Sequence, residues 1–171
     1  MRALHYFIHL LWFAVRDLLA PPRLRLAEVG LTCGQTVLDY GCGGGSFTIA
    51  AAEIVGPQGR VYAIDEDARA VARVNRLASQ RGLGNIQTIQ TNTITNLTDA
   101  TVDVVLLYDV YHCCEHPERV TAELHRVLRR GGTLSFFDHH VSDAAAVDQL
   151  TSRGLFEALP RIGKTRSFRC L

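Results

Sequence analysis

Val37-Leu38-Asp39-Tyr40-Gly41-Cys42-Gly43-Gly44-Gly45 runs from two β-formers into a glycine-dense turn, and an apolar, helix-compatible run over 47–55 follows. Strand, tight glycine loop and helix in that order bring bare backbone against a nucleotide-like ligand. Glycines serve there because a Cβ would block close approach or forbid a positive φ. A dinucleotide fingerprint G-x-G-x-x-G would need glycine at position 46, where this chain has Ser46. An acid, Asp39, stands two residues before the first glycine. A carboxylate there repels a pyrophosphate and suits a cationic ligand.

Outward from this turn the pattern alternates. A β-rich run over 60–64 ends in Asp65, and 66–81 is helical in composition, closed by Gly82 and Gly84. Residues 85–90 read as a strand. The nearly continuous apolar run over 102–108 reads as a central strand buried on both faces. Pro117 opens a helix expected to reach Arg130, with Gly131-Gly132 as its stop. A strand over 133–137, a helix over 143–153 and two last strands over 155–159 and 165–171 complete the chain. Alternation of this kind implies a doubly wound α/β fold, a mostly parallel sheet with helices on both faces and a C-terminal antiparallel hairpin. Ligands of such sheets sit at the carboxyl ends of the strands. That rule selects residues 39–45, 65–67, 91–93, 108–112 and 138–140.

The 171 residues suffice for one domain, 1–171, and 47% of them are apolar, as expected of a folded globule. A formal net charge of +1 and the lack of any basic tract argue against a dedicated nucleic-acid surface. Five cysteines, odd in number and without C-x-x-C spacing, argue against a disulfide framework and for a cytoplasmic setting. Within 1–20, Leu4, Phe7, Leu11, Ala14, Val15 and Leu18 share one helical face and Arg2, His5, His9 and Arg16 the other. Arg16 and Asp17 cut this stretch short of a membrane span. The expectation is an amphipathic helix ended by Pro21-Pro22, serving as packing element, pocket lid or peripheral membrane contact.

Asp65 lies 24 positions after Gly41, where a carboxylate can accept hydrogen bonds from vicinal ribose hydroxyls. Taken together, VLDYGCGGGSFT (37–48), VYAID (61–65), VDVVLLYDVYH (102–112) and ELHRVLRRGGTL (123–134) resemble the class I S-adenosylmethionine-dependent methyltransferases. The resemblance covers roughly residues 25–171 and is nearest to the broad group that includes quinone-ring methyltransferases. It implies a seven-stranded Rossmann-like sheet, S-adenosyl-L-methionine as cofactor, and methyl transfer to a small or lipophilic acceptor. By the same resemblance Asp39 would engage the methionyl end, directly or through water, and Tyr40, Gly41, Cys42, Gly43 and Gly45 would run beside it. Asp65 would hold the ribose and Glu66 would border the adenine. Asn92 and Thr93 stand where the family often has an acid for the adenine amino group, and an Asn oxygen can still accept that bond. Tyr108 and Asp109 would face the methionine moiety and the acceptor.

A general base is needed only if the acceptor must lose a proton, and the candidates are Asp109, His112, His139 and His140. The same region, with Cys113, Cys114, His116 and Asp138, contains ligand types for zinc or iron, although adjacent cysteines diverge on regular structure. No metal site is assigned. Two alternatives stay open: a non-catalytic S-adenosylmethionine- or metal-binding module, and a nicotinamide-dependent oxidoreductase, which Ser46 and Asp39 disfavour.

Overall fold

A computed structural model of the chain describes residues 21–171. The amphipathic stretch 1–20 lies outside the described residues. Pro21 is extended, at φ −52° and ψ 135°, and Pro22 opens a helix, α1 (Pro22–Val29), which stops at left-handed Gly30. The sequence reading placed no helix there. Its apolar residues do not form a stripe: Leu26 is fully buried while Leu24 is 64% exposed.

The remaining elements alternate. They are β1 (Thr36–Tyr40), α2 (Ser46–Val55), β2 (Arg60–Asp65), α3 (Ala68–Gln80), β3 (Ile86–Gln90) and β4 (Val102–Tyr108). A short 3₁₀ turn (Tyr111–Cys113), α4 (Pro117–Val127), β5 (Leu128–Phe137), α5 (Asp143–Thr151), β6 (Phe156–Ala158) and β7 (Arg166–Cys170) follow. The seven strands form one sheet in the order 3-2-1-4-5-7-6, and only β7 runs against its neighbours. The expected doubly wound sheet with an antiparallel C-terminal hairpin is what forms.

Capping follows the sequence locally. Asp67 accepts the Arg69 N–H at 2.9 Å to start α3, and Ser142 accepts the Ala145 N–H at 3.2 Å to start α5. One boundary differs from expectation. Helix α4 ends at Val127, not Arg130, because Leu128 is already extended and pairs with Val102. The step from Val102 to Val104 on β4 faces the step from Leu128 to Thr133 on β5, so Gly131-Gly132 sit in a bulge and not at a helix end. Gly131 needs its φ of 75°, and a Cβ on Gly132 would lie 2.8 Å from the Arg129 carbonyl oxygen.

Side-chain alternation splits the core. Val37, Val61, Val104 and Leu106 pack under α1 and α2 on one face. Leu38, Tyr40, Ile64, Val105, Leu107 and Phe136 pack under α4 and α5 on the other. The helices after β1 and β4, the two central strands, thus leave toward opposite faces. That divergence opens a crevice at the carboxyl ends of the strands.

Candidate active site

The glycine turn lies at that crevice and is tied down by its own backbone. The Gly41 and Cys42 N–H groups both donate to the Ile64 carbonyl at 2.8 Å, and the Gly45 N–H to the Cys42 carbonyl at 2.8 Å. Gly41 has φ +80°, and a Cβ there would come within 2.5 Å of Val110 Cγ2. The Gly43 N–H donates to Asp65 Oδ2 at 2.9 Å, while Asp65 Oδ1 accepts the Asp67 N–H at 2.9 Å. Arg73 Nε donates to the Gly44 carbonyl at 3.1 Å. Gly45 serves packing, since a Cβ would meet Val74 at 2.9 Å.

Beside the turn is a cavity of about 440 Å³, within the range of small-molecule sites. Of the residues selected from sequence, Tyr40, Gly41, Gly43, Asp65, Glu66, Asn92, Thr93 and Asp109 line it. The Tyr40 hydroxyl donates to the Asn92 carbonyl at 2.5 Å, fixing the wall between β1 and the β3–β4 loop. Burial pushes that hydroxyl well above the ordinary tyrosine value. Asp65, Glu66, Asp109 and Glu115 give the lining four carboxylates, and neither Lys nor Arg is among the described lining residues. Such a wall favours a cationic ligand over a pyrophosphate.

Other selected residues stand back from the cavity. Asp39 is only 3% exposed and accepts the Thr48 hydroxyl at 2.5 Å. Cys42 turns its thiol into a small cluster with Ala63 and Val74, where burial pushes it up and keeps it protonated. Tyr108 is buried, its ring edge-on to Phe47 and its hydroxyl 2.8 Å from Ser135 Oγ. His112, His139 and His140 lie next to the cavity and not in its lining.

Two of those histidines, His112 and His139, belong to two crossed pairs. Tyr108 and Phe137 are register partners, so Asp109 and Asp138 follow neighbouring strand ends. Asp109, after β4, holds His139 of the β5 end, with Nδ1 at 2.7 Å from Oδ1. Asp138, after β5, holds His112 of the β4 end, with Nδ1 at 2.9 Å from both carboxylate oxygens. Asp138 also accepts the His112 and His140 backbone N–H groups, at 3.2 and 2.9 Å. Burial opposes its charge, yet the His112 ring and these N–H groups hold its carboxyl below the usual value. Asp109 takes φ +53°, an uncommon conformation for a residue with a Cβ.

The sequence reading missed several lining residues. Glu115 and Val120 carried no motif, and Cys113, Cys114 and His116 were weighed only as metal ligands. The 3₁₀ turn and the segment after it deliver these residues, apart from Val120 on α4, and the turn ends at extended Cys114, so His112 and His116 do not share a helical face. Cys114 donates to the Val110 carbonyl at 3.5 Å and is pushed up to about 11, mainly by burial. Among the described residues no three His, Cys, Asp or Glu converge as a metal site. Nor is any described helix long and apolar enough to cross a membrane.

A family model for a methyltransferase domain matches residues 31–160. The chain belongs to this methyltransferase family. A ubiquinone/menaquinone biosynthesis C-methyltransferase of Marinomonas sp. is 26% identical over 92% of this chain and 60% of its own length. A demethylmenaquinone methyltransferase of Geobacillus kaustophilus is 33% identical over 58% of the chain and 43% of its own length. The chain therefore spans less than two thirds of the length of each of these curated relatives. The crystal structure of an S-adenosylmethionine-dependent methyltransferase from Aquifex aeolicus superposes with a TM-score of 0.79, covering 91% of both chains at 26% identity.

Proposed function

We propose that the chain is an S-adenosylmethionine-dependent methyltransferase acting on a small, lipophilic acceptor, with a quinol-type ring as the leading class. The observation that carries this reading is the cavity itself. A backbone turn that excludes a Cβ at Gly41 meets a wall of four carboxylates at the carboxyl ends of β1, β2 and β4. A cationic ligand with a ribose fits this donor and acceptor set. Asp65 and Glu66 would hold the sugar and border the base, and Asn92 and Thr93 would close the base end. The backbone of Gly41 and Gly43 would run beside the amino-acid end. Asp39, buried against Thr48, would act there through its field or a bridging group, not by direct contact. The acceptor class is that of the quinone-pathway relatives, and the donor is that of the Aquifex methyltransferase.

The bound donor supplies a methyl group already activated on a positive sulfur. The chain's share is alignment, worth as much as ~7–11 kcal/mol where a bimolecular step is made effectively unimolecular. Calorimetric titration with S-adenosylmethionine, its demethylated product and NADH tests the reading. The first two should bind and NADH should not. Binding of NADH alone would point back to an oxidoreductase, and donor binding without turnover across an acceptor panel to a non-catalytic module.

A further inference from the structure

We infer that His112, oriented by Asp138, is the general base for methyl transfer to a phenolic hydroxyl. The inference rests on the methyltransferase reading above and adds the acceptor's reacting group and the residue that takes its proton.

Asp138 is built as an orienting group. Its side chain has no exposure, and its two oxygens take Nδ1 of His112 at 2.9 Å together with two backbone N–H groups. A carboxylate accepting from Nδ1–H leaves the neutral ring with its lone pair on Nε2. The His112 side chain stays 27% exposed beside the cavity wall formed by Val110 and Cys113, so its ring is not sealed from solvent. The dyad also lies on the proper side of the sheet. Asp138 is two residues past Phe136, which packs on the α4–α5 face with Tyr40, Ile64 and Val120, and those three line the cavity. Chain neighbours on both sides of His112, Val110 and Cys113, line it as well. In the rival pair Asp109 lines the cavity, but its His139 ring turns away, edge-on against Phe137, which packs on the α1–α2 face. His140 has its ring 4.3 Å from that of His112. The titratable and charged groups around the base are thus Asp138, His140 and Cys113, with Glu66 and the Asp109–His139 pair nearby.

Acid–base matching selects the acceptor. A phenol titrates near ~10, so only about 0.1% is ionised at pH 7, and a neutral imidazole beside it raises reactivity. A thiol near ~8.5 is already partly ionised, and an amine can attack from its neutral form. In the step, the acceptor oxygen bonds to the methyl carbon as the methyl–sulfur bond breaks. The bond's electron pair stays on sulfur, which becomes neutral. The hydroxyl proton moves to Nε2, giving an imidazolium paired with the Asp138 carboxylate, and later leaves to water.

The test uses the full chain, S-adenosylmethionine and 1,4-dihydroxynaphthalene under argon, with the methyl ether separated by chromatography from its equal-mass ring-methylated isomer, whose formation in place of the ether would overturn the inference. Wild type should form product. His112→Gln should lose ~100-fold in kcat at pH 7, with donor affinity unchanged by calorimetry, and should close most of that gap by pH 10 as the phenol ionises unaided. Asp138→Asn should lose roughly tenfold and Asp138→Glu should recover part of it. Nitrogen-15 spectra of the imidazoles give a readout independent of turnover: His112 should be the Nδ1–H tautomer, and Asp138→Asn should disturb it. Absence of donor binding by wild type would remove the methyltransferase reading itself. Donor binding without product from this phenol, a His112→Gln deficit equal at all pH, or an Nε2–H tautomer would each overturn the inference alone.

Discussion

The Gly43 N–H donates to Oδ2 of Asp65 across 2.9 Å, so the turn after β1 is buckled onto the end of β2. One carboxylate thereby sets the shape of the glycine turn and lines the cavity it faces. Asp65→Ala should weaken S-adenosylmethionine by about 1.5–3 kcal/mol, the scale of hydrogen bonds to a charged group. Asp65→Asn keeps an acceptor for Gly43 and should lose less. Isothermal titration of both variants checks this, and wild-type affinity in Asp65→Ala would remove Asp65 from the ligand site.

Gly41 and Val110 form a steric lock between the β1 and β4 ends, since a Cβ at Gly41 would sit 2.5 Å from Val110 Cγ2. Gly41→Ala therefore faces both a clash and a left-handed φ, the latter worth ~1–2 kcal/mol. Gly41→Ala should unfold at clearly lower denaturant. Val110→Ala removes the contact with Cγ2 but keeps Val110 Cβ at 2.7 Å, so it relieves the clash in part and leaves the backbone strain. The double variant should thus be more stable than the summed losses of the singles by ~0.5–3 kcal/mol. Strict additivity in urea melts would mean that the neighbour gives way freely.

These two contacts show what could be read in advance. The strand–glycine–helix pattern and the terminal acid of β2 are local, so Asp65 and the glycines were legible from spacing alone. Their mutual bond was not, because it joins residues 22 apart through the sheet register. The crossed Asp109–His139 and Asp138–His112 pairs were hidden for the same reason, each spanning about 30 residues or fewer in sequence. Asp39 was legible only in part. Position marked it as a ligand group, but strand alternation aims it at Thr48, under α2. The α4 boundary failed because Gly131-Gly132, a common helix stop, here forms a strand bulge.

Glu28 of α1 straps the turn between β6 and β7. Its Oε2 accepts the Lys164 N–H at 3.1 Å, the Thr165 N–H at 3.0 Å and the Thr165 hydroxyl at 2.9 Å. Thr165 is nearly fully buried, so losing this acceptor leaves its N–H and hydroxyl only the longer bonds to the Ile162 carbonyl, at 3.2 and 3.3 Å. Glu28→Ala should cost about 1–3 kcal/mol of stability. Amide exchange at Thr165 should accelerate more than at Leu134, in the centre of the sheet. Uniform acceleration would instead indicate global destabilisation without a local strap.

Glu123 of α4 holds the β3–β4 loop that carries Asn92 and Thr93 to the cavity wall. Its Oε1 accepts the Thr95 N–H and hydroxyl at 2.8 and 2.6 Å, and Arg126 clamps both carboxylate oxygens at 2.7 and 2.8 Å. Arg126, together with the Thr95 donors, overcomes partial burial and pulls the Glu123 carboxyl down to about 2. An unfolded Glu titrates near ~4.3. The folded form thus binds the proton more weakly, and the stabilisation is fully present above the unfolded value. It is lost as pH falls from about 4.3 toward 2. Wild-type stability measured by urea unfolding should decline across that window, with Glu53, Asp67, Asp138 and Asp143 contributing in the same direction. Glu123→Gln should be less stable at pH 7 and should show a shallower decline below pH 4.3, because one of the titrating groups is gone. Donor affinity of the variant should fall as well if the loop loosens. Parallel acid limbs for wild type and variant would show that Glu123 carries no ionic share of the fold.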